Sequence, residues 1–375
     1  MMYENVKKEH ATSNETPVQI ISPQGAKRGS HYITLSKTDE DTLQTIIERA
    51  MDAVRQLDAA TVSMDILGLS MIEGLPGLEE FVGPITWPVT WIADAQAHPT
   101  GGIQIWAEND ATVTPIMSEK YCVGTLMDTP YATIVRLGGL DGRHPTGTHV
   151  EQTNASLRQM VDALQSVNMD FSNVVRTWFY NRDILSWYDE FNMTRSQFFS
   201  RHNIYEGLIP ASTGIGIGNE SGSYLVTGLL AVEPKSDNVA MFEVTSPLQC
   251  PATDYGSSFS RAAEIDFPDH RQLFISGTAS IEQEGETIHE NDIDRQILCT
   301  IEVVEAILNS RDMNWANVTR AIAYVKHAQD IPRFEYHREK LGLDTLPFII
   351  LTAEICRDSL LFEIELDAID VKTGH

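Results

Sequence analysis

A chain of 375 residues, 42% of them hydrophobic, is long enough for two or three domains with ordinary cores. Its net charge of −26 at pH 7 argues against binding to nucleic acid or to anionic membrane surfaces, and any anionic ligand would need a local arginine pocket. The four cysteines show no CxxC spacing, the histidines show no metal-binding spacing, and the N-terminal region shows no signal or membrane-spanning stretch. We therefore expect a cytoplasmic protein with reduced thiols and no metal.

The first third of the chain predicts a polar start followed by a small α+β unit. Residues 1–27 are polar, and we expect them to form a flexible N-terminal segment. In the unit that follows, the second of two expected helices is predicted to be missing or shortened. The predicted strands lie at residues 30–35, 61–67, 84–92 and 102–106, and the predicted helix lies at 41–57.

The remaining two thirds predict two further units with the same order of elements. Apolar residues at spacings of three and four predict a helix over 292–309, and runs of β-branched and aromatic residues predict the strands. In the middle third, strands are predicted at 131–137, 174–180, 210–216 and 224–232, and helices at 152–167 and 187–199. In the last third, strands are predicted at 271–276, 318–326, 348–355 and 360–368, and helices at 292–309 and 331–341.

An internal repeat connects the last two units. Residues 168–176 align with residues 312–320 at a constant offset of 144, which also places Gln152 on Gln296 and Tyr180 on Tyr324. We therefore predict tandem α+β units, each an antiparallel sheet with two helices on one face. The predicted domains are the segment 1–27, a degenerate unit at 28–118, a second unit at 119–240 and a C-terminal unit at 241–375.

The repeated unit resembles the RidA/YjgF superfamily. The resemblance covers nearly all of residues 121–370 and includes Ser276-Gly-Thr278, the Asp-Phe-x-Asn-Val stretch at 170–174 and Phe362-Glu-Ile-Glu365. It implies chorismate-mutase-like units that together imitate the family's trimer, with ligand clefts between neighbouring units. The protein would then be a monomeric pseudo-trimer or a homo-oligomer of it, and its unlike clefts would not all remain working sites.

Within this superfamily the chain is most similar to the chorismatase branch. That similarity includes Val175-Arg-Thr-Trp-Phe-Tyr180, Phe191-Asn-x-x-Arg195, Ser258-Phe-Ser-Arg-Ala262 and Ala353-Glu-Ile-Cys-Arg357. It implies a cofactor-free hydrolase that cleaves the enolpyruvyl ether of chorismate, or of a related carboxylated metabolite, to pyruvate and a cyclic hydroxy acid. Leu248, where the branch usually has an arginine, and a short loop at 250–257 favour the alternative of a non-catalytic metabolite-binding or regulatory protein.

Glu354 is the candidate catalytic residue. On a strand over 348–355 it would share one face with Phe348, Ile350 and Thr352. A carboxyl group in apolar surroundings has a raised pKa, and it could then protonate the methylene carbon of an enol ether. The alternative is a glutamate at a strand end that pairs with Arg357 or faces solvent.

The other candidates are substrate-binding residues. Arg261 could grip a carboxylate through two parallel hydrogen bonds, and Arg195 could reach the cleft from the neighbouring unit. Alternatively, both are ordinary surface arginines. The other candidates, named next, could instead have only packing or turn roles. The remaining candidates are Tyr180 as a hydroxyl donor, Gly277 and Thr278 at a strand end, and Ala262 beside Arg261.

Overall fold

The computed structural model folds into three units, each with one β-sheet and two α-helices. It describes residues 18–23, 29–70, 74–93, 100–119, 121–142 and 147–372. Within this part of the chain, no helix has the length and hydrophobicity that a membrane crossing requires. The α+β class and the tandem arrangement of similar units predicted from the sequence are confirmed.

The first unit is more complete than the sequence indicated. Its second helix, α2, is present but is shorter than the second helices of the other two units, with 9 residues against 14 and 10, as the sequence predicted. Strand β1 lies within the segment predicted to be flexible and pairs with β2, whereas residues 1–17 lie outside the described part of the chain. The elements are β1 Val18–Ile21, β2 Ser30–Ser36, α1 Leu43–Gln56, β3 Ala60–Leu67, α2 Gly74–Val82, β4 Val89–Ile92 and β5 Gly102–Glu108.

The second unit begins earlier than predicted. Its first strand, β6, pairs with β7 in the same sheet, so the unit starts at Thr112 and not at the predicted boundary after residue 118. Its elements are β6 Thr112–Ser118, β7 Tyr121–Asp128, β8 Ala132–Leu140, α3 His149–Gln165, β9 Val174–Asn181, α4 Tyr188–Arg201, β10 Ala211–Gly216 and β11 Leu225–Pro234.

The third unit repeats the second. The repeated glutamines show why the sequence spacing is kept, because each ties a helix to the last long strand of its unit. Gln152 accepts a hydrogen bond from the Tyr224 backbone at 2.9 Å, and Gln296 accepts one from Leu361 at 2.8 Å. The elements are β12 Ala240–Val244, β13 Ala262–Asp266, β14 His270–Ala279, α5 Ile293–Asn309, β15 Val318–Val325, α6 Ile331–Lys340, β16 Phe348–Thr352 and β17 Phe362–Val371.

All three sheets are mixed, which corrects the prediction of antiparallel sheets. The strand orders are β1-β2-β5-β3-β4, β10-β9-β11-β8-β7-β6 and β12-β13-β14-β17-β15-β16. Most neighbours are antiparallel, but β3–β4, β9–β10 and β15–β16 are parallel. Each parallel pair encloses the second helix of its unit, and a helical crossover returns the chain in the same direction.

A β-bulge at the same place in β3, β9 and β15 shows that the first unit has the same strand architecture as the other two. The extra residue is Val62, Val175 or Thr319, and the next residue resumes pairing in each case. The bulges therefore align the three units residue by residue. The residue four positions after the point where pairing resumes is Leu67 in the first unit, Tyr180 in the second and Tyr324 in the third. Their cross-strand partners are Gly102, Val226 and Glu363, in the same order.

Each sheet buries both of its faces. One face packs against the unit's own helices and forms a separate core, as Phe334 of α6 does against Phe348 and Phe362. The other face joins a common core to which all three units contribute, including Leu67, Tyr180 and Tyr324. The helices thus lie outside and the sheets meet inside, as in the predicted pseudo-trimer.

Candidate functional site

A cleft between the second and third units collects polar side chains around a cavity of about 420 Å³. That volume is within the range of small-molecule sites. Helix α4 forms one wall, and β13, β14 and β17 with their flanking loops form the other. We call this the Glu363 cleft. It is lined by Tyr188, Asp189, Asn192, Tyr255, Gly256, Ser257, Phe259, Arg261, Gly277, Ala279, Ile281, Cys356, Arg357 and Glu363.

Glu363 is the buried acid of this cleft. It lies on β17 opposite Tyr324, and only 4% of its surface is exposed. Burial and, to a smaller extent, the charge of neighbouring Glu365 raise the pKa of its carboxyl to about 8, against the opposing effect of Arg176. A carboxyl group with this pKa holds its proton at neutral pH and can donate it to a substrate.

Gly277 makes room for that carboxyl. A Cβ atom at this position would lie 2.1 Å from Glu363 Oε1, so a larger residue would have to displace the acid. The Gly277 backbone N–H donates to Thr213 Oγ1 of the second unit at 3.1 Å, which holds the two units in register beside the acid. Gly277 lines the cleft, and its part in substrate binding stays a prediction.

A charged network lies directly behind Glu363. Glu365 is fully buried and accepts hydrogen bonds from Arg176 Nη2 and Arg320 Nη2, both at 2.7 Å. Burial alone would raise the pKa of Glu365, but Arg320 and Arg176 outweigh it and hold the pKa below its ordinary value. Two neighbouring carboxyl groups on one strand therefore differ in ionisation state, with Glu363 protonated and Glu365 charged.

Arg261 brings a buried positive charge into the cleft. Only 3% of the Arg261 surface is exposed, and its Nε donates to the Cys250 carbonyl oxygen at 2.9 Å. Nη2 is also buried, and no acceptor in the described part of the chain lies within hydrogen-bond distance of it. The guanidinium lies 5.4 Å from the Tyr255 ring and 5.8 Å from that of Phe259. This arrangement suits a carboxylate ligand held between aromatic rings.

Arg195 contributes from the opposite wall without lining the cavity. It lies on α4 and is buried, and its Nη2 donates to Asn192 Oδ1 at 2.8 Å. Asn192 does line the cleft, so Arg195 orients the amide that faces the ligand space. Arg195 thus contacts the cleft only indirectly, from α4 of the second unit, and its role in substrate binding stays a prediction.

The prediction of a buried carboxyl at position 354 is wrong. Strand β16 ends at Thr352, so the alternation that would have placed Glu354 beside Phe348 and Ile350 does not continue. The Glu354 backbone instead pairs with Gly216 of the second unit, through hydrogen bonds of 2.7 and 2.8 Å. Its side chain is exposed, and it is not part of the lining of the Glu363 cleft.

Three other candidates pack inside the protein and do not line the cleft. Tyr180 lies in the common core, where burial raises the pKa of its hydroxyl. Ala262 packs in the helix-side core of the third unit, and the Thr278 hydroxyl donates to the Ser276 carbonyl oxygen at 2.8 Å. Strand alternation explains Ala262 and Thr278, because each adjoins a cleft residue and therefore faces the other side of the sheet.

The sequence reading missed Glu363, Arg357 and Cys356 as site residues. Arg357 donates to the Gly285 carbonyl oxygen at 2.7 Å and faces Tyr255 at 5.4 Å. Burial raises the pKa of the Cys356 thiol to about 12, so this group stays protonated. All three lie inside motifs that were recognised, and the missed signal was the pair of glutamates that alternates with apolar residues over 362–366.

The equivalent positions of the other two units lack this chemistry. In register with Glu363 stand Gly102 in the first unit and Val226 in the second. The pairing of β7 with β8 likewise places Val123 where the third unit has Arg261. The cleft between the first and second units has a cavity of about 430 Å³ whose lining includes Val123 and Gly139 but no arginine; its buried acid, Asp141, follows β8 and is not at the position of Glu363. Of these two clefts, the Glu363 cleft alone has both groups.

Comparison with known proteins agrees with this architecture. No protein-family model matches the sequence. A solved chorismatase has the same fold, with a TM-score of 0.60 at 20% identity over 91% of this chain and 98% of that chain. The protein therefore has a chorismatase-like fold, which agrees with the resemblance found in the sequence.

Two relatives in Streptomyces show the same similarity in sequence. A 3-hydroxybenzoate synthase of Streptomyces hygroscopicus is 28% identical over 249 residues, which cover 59% of this chain and 70% of the relative. A chorismatase of Streptomyces rapamycinicus is 26% identical over 247 residues, which cover 60% of this chain and 70% of the relative.

Proposed function

We propose that the protein is a chorismate-processing enzyme that cleaves the enolpyruvyl ether of chorismate and releases pyruvate, with Glu363 as the general acid. The observation that carries this proposal is a buried carboxyl group with a pKa of about 8, in the same cavity as a buried arginine with an unpaired N–H. The name of the chorismatase relative supports chorismate as the substrate, and the name of the synthase supports an aromatic hydroxy acid as the second product.

The chemistry begins with proton transfer to carbon. The Glu363 carboxyl donates its proton to the methylene carbon of the enol ether, and the ether carbon becomes an oxocarbenium ion. Water adds to that carbon and returns a proton to the Glu363 carboxylate. The bond between the hemiketal carbon and the former ether oxygen on the ring then breaks. The hemiketal hydroxyl proton moves to that oxygen, and pyruvate leaves. General acid catalysis of this kind contributes roughly 10²–10⁴-fold to the rate.

The charges of the cleft suit a substrate with two carboxylates. Arg261 has a buried Nη2 free to donate to one carboxylate, and Arg357 lines the same cavity and can face the other. In a protein with a net charge of −26, a dianion needs such local positive charge to enter a cleft. Asn192, oriented by Arg195, adds a neutral hydrogen-bonding group on the opposite wall.

The two relatives' names imply two acid products that differ by one water molecule. Hydrolysis of the ether alone leaves a cyclic acid with both ring oxygens retained. Formation of 3-hydroxybenzoate requires in addition that the second ring hydroxyl leaves as water. The mass of the acid released by the purified protein distinguishes the two products directly.

The test of the proposed function is pyruvate release from chorismate by the purified protein, followed through lactate dehydrogenase. We expect turnover well above spontaneous decay, a loss of at least about 100-fold in Glu363→Gln, and near-normal turnover in the matched variant Glu354→Gln. Release no faster than the spontaneous rate overturns the function. Full turnover in Glu363→Gln overturns the role of the acid and leaves the substrate standing.

A further inference from the structure

The second carboxyl of β17, Glu365, is too deeply buried to touch a ligand in the Glu363 cleft. It lies two residues from Glu363 on the same strand, and the side chains of both therefore emerge on the same side of the sheet. It is fully buried, and Trp178 Nε1 lies 3.3 Å from its Oε1 in addition to the two arginines. So many donors around one carboxylate fix its orientation and its charge.

We propose that Glu365, clamped by Arg176 of the second unit and Arg320 of the third, is a positioning residue that keeps the proton on Glu363. This inference rests on the proposed function, because it explains how the acid stays loaded at neutral pH. The second unit takes part directly, since Arg176 Nη2 also donates to Thr213 Oγ1 at 2.6 Å, and Thr213 accepts from Gly277 beside the acid.

The arrangement is specific to the third unit. At the position of Glu365 the first unit has Gln104 and the second has Gly228, according to the aligned strand registers. The buried acid and the clamped carboxylate therefore occur together in one unit and are both lacking in the other two. A purely structural ion pair between units would not need an acid beside it, whereas a fixed negative charge acts on any carboxyl that lies next to it.

Several other charged or titratable groups also face Glu363. Tyr324 faces it from β15, Arg176 from β9, and Cys356 from the segment after β16. Arg261 and Arg357 line the same cavity. The cations among these groups favour ionisation of Glu363, so its protonated form depends on burial and on the Glu365 charge.

The test is the pH dependence of turnover in Glu365→Gln. An active acid must be protonated, so activity falls as the pH rises through the pKa of Glu363. Loss of the Glu365 charge leaves Arg176 without its ion-pair partner and Arg320 paired with Asp367 alone, and the descending limb of the profile should move to lower pH by at least about one pH unit. Glu365→Asp keeps the charge and should restore the wild-type midpoint, even at a lower maximal rate. A role in structure alone would lower the rate at every pH without moving the midpoint.

A second measurement tests the role of Glu365 if Glu365→Gln does not fold or if chorismate is not the substrate. The side-chain carboxyl carbons of glutamate, labelled with ¹³C in the wild-type protein and assigned by NMR, report each protonation state without turnover. We expect Glu363 to titrate near neutral to mildly alkaline pH while Glu365 stays ionised throughout. A protonated Glu365 at neutral pH, or an unmoved midpoint in a folded Glu365→Gln, overturns the inference. A wild type that titrates as expected without releasing pyruvate overturns only the proposed function.

Discussion

Glu363 should make the stability of the protein depend on pH in a direction opposite to that of most carboxyl groups. Its pKa is about 8 in the folded protein and 4.5 as an ordinary glutamate. Between these values the folded state holds a proton that the unfolded state has lost, so the free energy of unfolding falls as the pH rises. At about 1.4 kcal/mol for each pH unit, the interval corresponds to a loss of at most about 5 kcal/mol by pH 8.

Glu363→Gln removes this loss, because the amide cannot ionise and has a nearly identical shape. The variant should therefore gain stability relative to wild type as the pH rises from about 5 to 8, and the difference should stay constant at higher pH. Chemical denaturation of both proteins across this range measures it. A difference between Glu363→Gln and wild type that does not change with pH would refute the reasoning.

Three further predictions concern the walls of the cleft and the network behind it. Arg261→Lys, which loses the planar fork but keeps the charge, should raise KM about 10- to 100-fold with a smaller change in kcat, measured by steady-state kinetics. Gly277→Ala should lower kcat at least about tenfold, because its methyl group displaces the Glu363 carboxyl, and crystallography of the variant should show that displacement. Arg320→Met should reduce the free energy of unfolding by about 3–5 kcal/mol because it removes one of the two arginines that pair with buried Glu365 and also the partner of Asp367, whereas the exposed Arg333→Met should change it little.

The repeated architecture was predictable because repetition survives in the spacing of a few residues. Gln152 and Gln296 make the same helix-to-strand hydrogen bond, so neither unit can change the distance between its helix and its strand without losing it. The first unit was harder to recognise. It has Ser63 at the position of Arg176 and Arg320, and its bulge, which aligns the units, leaves no mark in composition.

The candidate site was predictable as a set of motifs but not as a set of side chains. The stretch 353–357 does reach the cleft, yet through Cys356 and Arg357 and not through Glu354. The difference arises from strand length: β16 ends at Thr352, and the chain then turns to pair with Gly216. Alternation assigns a face only while the strand continues, and strand ends are the least certain feature of any sequence reading.

Glu363 was missed for a different reason. Strand β17 alternates apolar residues with Glu363, Glu365 and Asp367, a pattern typical of a sheet with one face in water. The structure buries that face as well, because the sheet of a neighbouring unit covers it and supplies arginines such as Arg176. A sequence pattern distinguishes polar faces from apolar ones, but it does not tell whether solvent or another sheet lies opposite. The proposed acid depends on this distinction, since the same glutamate on a wet strand would be ionised and unable to donate a proton to carbon.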